Sequence, residues 1–219
     1  MRSDSRNLTR KRWLGLLFGF VLFCGLSAAW LTLPAAPLDG PARSDRRVTL
    51  VVKSFMEREH LSRHELDDEI STRAMKAFLQ GFDPRKMYFM QSDIDEFMTK
   101  ERSLDNDVQN GNVRFAYTVF NRFLTRLDER VKLVEALVDQ PHDFTVDESI
   151  VTDPDAMQYP RTKEEVQDRW RKLIKLNLLT YKADDMADDE ARSKIKRRYL
   201  SLAKRWNQTD TDELLERFL

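Results

Sequence analysis

An apolar repeat with alternating spacings of four and three residues runs through the middle of this 219-residue chain. Its members are Val113, Tyr117, Phe120, Leu124, Leu127, Val131, Val134 and Val138. This heptad pattern predicts one long helix with a single apolar seam, because positions three and four apart share a helix face. We expect the seam to pack inside the chain's own helical bundle. The alternative is a partner helix from another chain.

Three shorter helices are predicted before the seam. The first is expected to start near Val48, where an apolar helical period begins. The second opens with a capping box formed by Ser62 and Glu65. Gly81 is expected to end this second helix in the left-handed conformation, and Ser92 is expected to cap the third helix.

Three further helices are predicted after the seam, and no segment shows the period-two alternation of a strand. Pro141 marks the end of the long helix, and Pro154 and Pro160 indicate a loop without regular structure. A second capping box, at Thr162 and Glu165, opens the next helix. Four aromatic residues fall on helical apolar periods and are assigned to the core: Tyr117, Trp170, Tyr199 and Trp206. The predicted fold class is all-α.

The last predicted helix ends the sequence. Asp210 or Thr211 is expected to cap it, and it runs into Phe218 and Leu219 with no glycine cap and no polar tail. Such an end is expected to leave the last carbonyls and the apolar stripe without partners. We therefore interpret the chain as a fragment of a longer protein.

The N-terminus has the layout of an export signal. Residues 1–12 carry five basic side chains and one acidic side chain, and residues 13–33 carry no charge. A basic segment followed by an apolar one is typical of a signal peptide, and Ser27-Ala28-Ala29 offers a cleavage site. The apolar stretch is also about long enough to span a bilayer, so a membrane anchor is the alternative to a cleaved signal peptide.

This layout predicts the location of the remaining chain. Residues 1–12 would form a cytoplasmic n-region, because basic flanks stay on the cytoplasmic side. The body would be exported to the periplasm, either released by cleavage or anchored in the inner membrane by residues 13–33. Residues 34–47 are rich in Pro and Arg and are interpreted as a flexible linker. The folded body is expected over residues 48–219.

Composition narrows the chemistry of the exported body. Cys24 is the single cysteine and lies in the apolar stretch, so the body has neither a disulfide nor a thiol. The chain has 37 basic and 37 acidic residues. Because its first twelve residues are net basic, the body is net acidic, which argues against nucleic-acid binding.

Two groups of residues are candidates for a chemical site. His60 and His64 are four residues apart, which on one helix would direct two imidazoles at a metal, with Glu59 or Asp67 nearby. Ser62 is expected to cap a helix between them, which favours a turn and argues against a metal site. The second group consists of the carboxylates Asp67, Asp68, Glu69, Asp93, Asp95 and Glu96. These fall at helix starts, where acids stabilise the helix dipole.

Two stretches of the chain carry a family resemblance. The first runs from His60-Leu61-Ser62 through Phe82-Asp83-Pro84-Arg85-Lys86-Met87-Tyr88-Phe89 to Phe97, and its Asp-Pro-Arg-Lys-x-Tyr-Phe run is the most specific part. The second joins Arg205-Trp206-Asn207-Gln208 to Asp212-Glu213-Leu214. Over residues 48–219 the chain resembles the N-terminal region of tail-specific proteases, also called carboxyl-terminal processing peptidases. The second stretch is similar to the helix before the PDZ domain in that family.

The resemblance implies an exported serine endopeptidase that binds protein substrates by their C-terminal tails in a PDZ domain and cleaves them with a Ser–Lys dyad. Neither the PDZ carboxylate-binding loop nor the dyad can be matched to this chain. No catalytic, cofactor-binding or metal-binding residue is therefore assigned, and the chain alone is expected to be inactive.

Two functions remain from this reasoning. By the resemblance, the chain is the helical scaffold and docking region of the protease, truncated before the PDZ and catalytic domains, with an adaptor protein as a further partner. The alternative is a stand-alone exported adaptor that binds a partner through an amphipathic helix.

Overall fold

The computed structural model describes residues 38–59 and 67–219, apart from the side chains of Glu57 and Glu59. All regular structure in these two ranges is helical, which confirms the all-α prediction. The helices are α1 (Arg43–Glu59), α2 (Asp68–Phe82), α3 (Gln91–Met98), α4 (Leu104–Gln109), α5 (Arg114–Val138), α6 (Lys163–Ala183), α7 (Asp188–Trp206) and α8 (Thr211–Phe218).

Across the two described ranges, no helix combines the length and the apolar character needed to cross a bilayer. The predicted signal or anchor, residues 13–33, lies outside these ranges.

Helix α5 is the centre of the fold. All eight seam residues are buried, and α5 contacts α6, α7 and α8, so the prediction that the seam packs within the chain is confirmed. The buried face is wider than the heptad seam, because Phe115, Ala116, Val119, Phe123 and Leu137 are buried as well. A helix contacted from several sides needs this broader apolar face.

Helices α6 and α7 pack on α5 and on each other. The hydroxyl of Thr162 accepts a hydrogen bond from the Glu165 N–H at 3.2 Å, which confirms the predicted N-cap of α6. The Glu165 carboxylate reaches back one residue further than a standard capping box, because it accepts from the Arg161 N–H at 2.7 Å. Residues 184–187 connect the two helices.

Aromatic rings join α2, α5 and α7 in the core. The ring centroids of Phe123 and Trp206 are 4.9 Å apart, and those of Phe82 and Phe123 are 5.2 Å apart. Tyr117, Trp170 and Tyr199 are buried, as predicted for core residues, whereas Trp206 is half-buried. The Phe123–Trp206 pair packs edge to face, an arrangement that adds to the energy of apolar burial.

The last helix is packed rather than bare. Asp210 accepts a hydrogen bond from the Glu213 N–H at 2.9 Å, so Asp210 is the N-cap of α8. Leu214 and Leu215 are buried, and the Phe218 ring lies 5.1 Å from the Phe78 ring of α2. The expectation that this apolar stripe lacks partners is wrong, because α8 folds back onto α2 and α5.

The folded body begins earlier than the predicted boundary at Val48. Helix α1 starts at Arg43, so residues 43–47 are helical and are not a linker. The buried Asp45 carboxylate accepts a hydrogen bond from the Tyr117 hydroxyl at 2.7 Å, and the main chain of Leu38 pairs with the Asn121 amide. These contacts fix the segment to α5. They join residues far apart in the sequence, so the local composition, rich in Pro and Arg, could not predict them.

Two of the predicted helix ends differ, at Gly81 and at Ser92, and a third lies outside the described ranges. The capping box at Ser62 and Glu65 lies outside the described ranges, and the described helix α2 is capped by Asp67. Gly81 is helical and α2 continues to Phe82, so the prediction of a left-handed end at Gly81 is wrong.

Helix α3 differs at its start, and α4 was not predicted. Ser92 lies in the first turn of α3, and Met90 occupies the N-cap position. The carboxylate of Asp93, at the third helical position, accepts from the Met90 N–H at 2.9 Å, so α3 begins without the side-chain N-cap expected of Ser92. Helix α4 has only six residues, too few to show an apolar period.

Candidate functional site

The candidate residues from the sequence do not converge on one site. His60 and His64, with Ser62 between them, lie outside the described ranges. Asp67 accepts a hydrogen bond from the Ile70 N–H at 2.9 Å, and Asp68 and Glu69 follow in the exposed first turn of α2. Within the described residues, no group of three or more His, Cys, Asp or Glu side chains is placed to hold a metal.

Serine and lysine occur with a Ser-x-x-Lys spacing twice on α7, at Ser193–Lys196 and Ser201–Lys204. Both serines are exposed, and so is Lys204. The ammonium of Lys196 forms an ion pair with Asp139 at 2.7 Å. A lysine acts as a general base when it is desolvated and neutral. Because both serines are exposed and Lys196 is paired with Asp139, neither pair has the buried setting that such a dyad needs.

The most organised polar site is the Asp83 loop, residues 83–89. The Asp83 carboxylate is 1% exposed. Its Oδ1 accepts from the Met87 N–H at 2.7 Å, and its Oδ2 accepts from the N–H groups of Tyr88 and Phe89 at 2.8 and 2.9 Å. Burial raises the pKa of the Asp83 carboxyl, and these hydrogen bonds offset only part of the rise. One side chain thus satisfies three backbone donors and folds the loop around itself.

Two other helices bind the carbonyl oxygens of this loop. Arg130 of α5 donates from Nη2 to the Tyr88 carbonyl at 2.8 Å, and Trp170 of α6 donates from Nε1 to the Met87 carbonyl at 3.1 Å. Arg130 is 5% exposed and Trp170 is 1% exposed. The loop thus supplies the acceptor for one nitrogen of each of these buried side chains, and it locks α2, α5 and α6 together.

Lys86 ties the same loop to the long connection between α5 and α6. Its backbone has a φ of 49°, in the left-handed region, and its Nζ donates to the Met157 carbonyl at 2.5 Å. Arg169 donates to the carbonyls of Lys86 and Gln158 at 2.7 and 2.9 Å. The connection has no helix of its own, as predicted, and these bonds hold its second half in place.

A second polar centre, the Asp93 clamp, consists of Asp93, Arg122 and Arg126. Asp93 of α3 is fully buried. Arg126 donates to it from Nε at 2.8 Å and from Nη2 at 2.9 Å, and Arg122 donates from Nη1 at 2.5 Å. Burial acts to raise the pKa of Asp93, but the hydrogen bonds from Arg126, the Met90 N–H and Arg122 outweigh it and lower that pKa. Asp93 therefore docks α3 on α5, a role beyond the predicted one at a helix start.

The surface carries a groove between α6 and residues 144–152, with a volume of about 490 Å³. Val146, Leu176 and Leu179 are exposed apolar residues along it. The buried Lys175 ammonium donates to the Val146 carbonyl at 2.7 Å and to Glu148 at 2.6 Å, which closes the base of the groove. Lys175 therefore ties residues 146 and 148 to α6.

Comparison with known protein families identifies the family of this helical domain. A family model described as the tail specific protease N-terminal domain matches residues 51–219. The chain belongs to this family. The Asp83 loop and the Asp93 clamp both lie inside the matched range, and the predicted resemblance is confirmed.

One curated relative is the tail-specific protease of Haemophilus influenzae (strain ATCC 51907 / DSM 11121 / KW20 / Rd). It is 24% identical over 221 residues, which is 98% of this chain and 31% of the relative. The chain therefore spans less than a third of the length of this tail-specific protease.

Sequence reasoning missed the arginines that build the two polar centres of this tail-specific protease N-terminal domain. Arg122, Arg126 and Arg130 follow each other at intervals of four on α5, so they form one basic stripe beside the apolar seam. That stripe was the available signal. It predicts an acidic partner, and Asp93 fills that position in the fold.

Proposed function

We propose that this chain is the helical scaffold and docking region of an exported tail-specific serine endopeptidase. The observation that carries the proposal is the family match over residues 51–219. The name of the Haemophilus influenzae relative supports it. The catalytic Ser–Lys dyad and the PDZ domain that binds C-terminal tails of protein substrates would lie outside this chain.

The architecture suits a scaffold. The Asp83 loop and the Asp93 clamp hold four helices, α2, α3, α5 and α6, in fixed relation through hydrogen bonds to two buried carboxylates and to the loop carbonyls, and such networks make a fold rigid. A rigid helical body can position neighbouring domains and present a constant surface to an adaptor protein.

Export is the second part of the proposal. The basic residues 1–12 and the uncharged residues 13–33 support delivery to the periplasm, with residues 13–33 acting as a signal peptide or as an inner-membrane anchor. The absence of cysteine from residues 34–219 is compatible with an oxidising compartment.

The alternative of an adaptor that binds through the seam of α5 is not supported. All eight seam residues are buried inside the chain, so exposing them would require unfolding of the core. Any partner must therefore bind another surface.

Two measurements test the proposal. The purified chain is incubated with a substrate protein that ends in an apolar C-terminal tail, and the products are analysed by mass spectrometry. No cleavage is expected, and cleavage that a serine-directed reagent abolishes would overturn the assignment as a scaffold. In cells, an antibody against the chain should detect a periplasmic product much larger than 25.9 kDa. A cytoplasmic product, or one of 25.9 kDa, would contradict the proposal.

A further inference from the structure

Helix α1 has an apolar outer face with no described partner. Val48 is 45% exposed, Val51 is 50% exposed and Phe55 is 64% exposed. Their spacings of three and four place them on one side of the helix. The neighbouring side of the helix holds the buried residues Asp45 and Thr49, and α1 is attached to the fold along that side.

Arginines flank this apolar strip on the same face. Arg47 precedes Val48, Arg58 follows Phe55 by three residues, and both are exposed. Asp45 contributes no negative charge to the outer face, because its carboxylate is buried against Tyr117. The sequence of α1 contains five basic and three acidic residues, the other two acids being Glu57 and Glu59. By helical spacing Glu59, four residues after Phe55, falls on this side as well, so the outer face combines exposed apolar groups with two arginines and one acid.

We propose that the outer face of α1, defined by Arg47, Val48, Val51, Phe55 and Arg58, binds the surface of an anionic phospholipid bilayer. The proposal rests on the proposed export, which brings the body to a membrane-bounded compartment. A bilayer surface offers an apolar boundary for valine and phenylalanine and phosphate groups for arginine within the same few ångströms. The long aliphatic stems of the two arginines allow their charged ends to reach the phosphates.

The position of α1 in the chain favours a membrane over a protein partner. The uncharged residues 13–33 end ten residues before Arg43. If they act as an anchor, the nine residues 34–42 extend at most about 32 Å, which limits how far α1 can lie from the bilayer surface. In addition, α1 is already folded on its inner face, so binding requires no coupled folding, unlike an isolated amphipathic peptide.

The test uses electron paramagnetic resonance on the full chain reconstituted into vesicles. In a Cys24→Ser background, a nitroxide is attached at Val51→Cys. A matched control carries the nitroxide at Leu200→Cys, an exposed apolar position of α7 that is 39% exposed. Vesicles contain either phosphatidylcholine alone or a mixture with phosphatidylglycerol. Accessibility to oxygen, which partitions into lipid, is compared with accessibility to a water-soluble nickel complex.

We expect the nitroxide at position 51 to gain oxygen accessibility and to lose nickel accessibility severalfold in the anionic vesicles, while the nitroxide at position 200 stays accessible to nickel. The double variant Arg47→Glu, Arg58→Glu should abolish this shift, and an unchanged circular dichroism spectrum shows that it folds. A label accessible to nickel in both vesicles would overturn the inference. A label shielded from both reagents would also overturn it, because it would show a protein partner on this face.

The two proposals fail in distinguishable ways. A water-exposed or protein-covered label leaves the protease assignment intact, since that assignment is tested by cleavage and by the mass of the native product. A native product found in the cytoplasm would remove the basis of both.

Discussion

Arg126 binds Asp93 with two nitrogen atoms, Nε at 2.8 Å and Nη2 at 2.9 Å, across the contact between α5 and α3. Asp93 is fully buried, whereas the Arg126 side chain is 18% exposed. The two-point geometry fixes both the distance and the rotation of the short helix α3. A helix of only eight residues, such as α3, has little stability alone, so its place in the fold depends on this attachment.

Replacing Asp93 with alanine should destabilise the domain by about 3 kcal/mol, because breaking a buried ion pair leaves charge without its partner. The loss should fall at the lower end of the usual range, since Arg122 and Arg126 keep Glu96 and Glu129 as partners. Urea unfolding followed by circular dichroism measures it. The control Asp95→Ala, at an exposed position of the same helix, should change stability by less than about 0.5 kcal/mol. Equal effects of the two variants would contradict this role of the clamp.

Asp93 should also make stability depend on acid pH. Its pKa in the fold is lower than the ordinary value of 3.8, so the unfolded chain takes up the proton first as pH falls. The contribution of Asp93 is fully present above that ordinary value and is lost as pH falls from there through the folded pKa. The free energy of unfolding should therefore decrease more steeply below about pH 4 in the unaltered protein than in Asp93→Asn. Parallel slopes would show that Asp93 has no lowered pKa.

The Asp83 loop predicts a contrast within one motif. Asp83→Ala removes the acceptor of one buried and two partly buried N–H groups and should cost about 3 kcal/mol, at about 1–3 kcal/mol for an unsatisfied buried group. Arg85→Ala, two residues later and exposed, should cost less than about 0.5 kcal/mol. Thermal unfolding of both variants gives the comparison. A stable Asp83→Ala protein would mean that water replaces the carboxylate.

Two glycines should respond to the same substitution with opposite signs. Gly81 is helical and has nothing within 4 Å of an added Cβ, so Gly81→Ala should stabilise α2 by about 0.5–1 kcal/mol. Gly111 has a φ of +69°, and an added Cβ would lie 2.6 Å from the Arg46 Cγ and 3.1 Å from the Arg46 carbonyl oxygen.

Gly111→Ala should therefore destabilise the domain by about 1–3 kcal/mol through backbone strain and displacement of α1. Differential scanning calorimetry of the two variants measures the sign of each change in stability. A destabilised Gly81→Ala protein would indicate that Gly81 adopts the left-handed conformation that the sequence suggested.

Elements with strong periodicity were predictable, and elements defined by long-range contacts were not. The seam of α5 and the cap of α6 follow from local spacing, and both are found. Helix α1 begins before its apolar period because Asp45 is bound by Tyr117, 72 residues away in sequence. No local pattern encodes such a bond.

The same distinction applies to the polar centres. Asp93 stands among several acids at helix starts, and its sequence neighbourhood does not separate it from Asp95. Only the packing of α3 on α5 gives one of these carboxylates two arginine partners. The motif around Asp83 was recognised as specific to the family, but the reason for it, three backbone donors on one buried carboxylate, becomes visible only in the fold.

The hydrogen bond from Trp170 to the Met87 carbonyl has a consequence for biogenesis, because its two residues are 83 positions apart. During synthesis at about 5–20 residues per second, roughly 4 to 17 s pass between their incorporation. During that interval the nascent chain contains the Asp83 loop but not the Trp170 indole that bonds to it. The aromatic rings of α2 are also still uncovered. The core of the domain is therefore completed late in synthesis. A chaperone bound to the nascent chain would cover its exposed apolar groups most usefully before Trp170 has emerged.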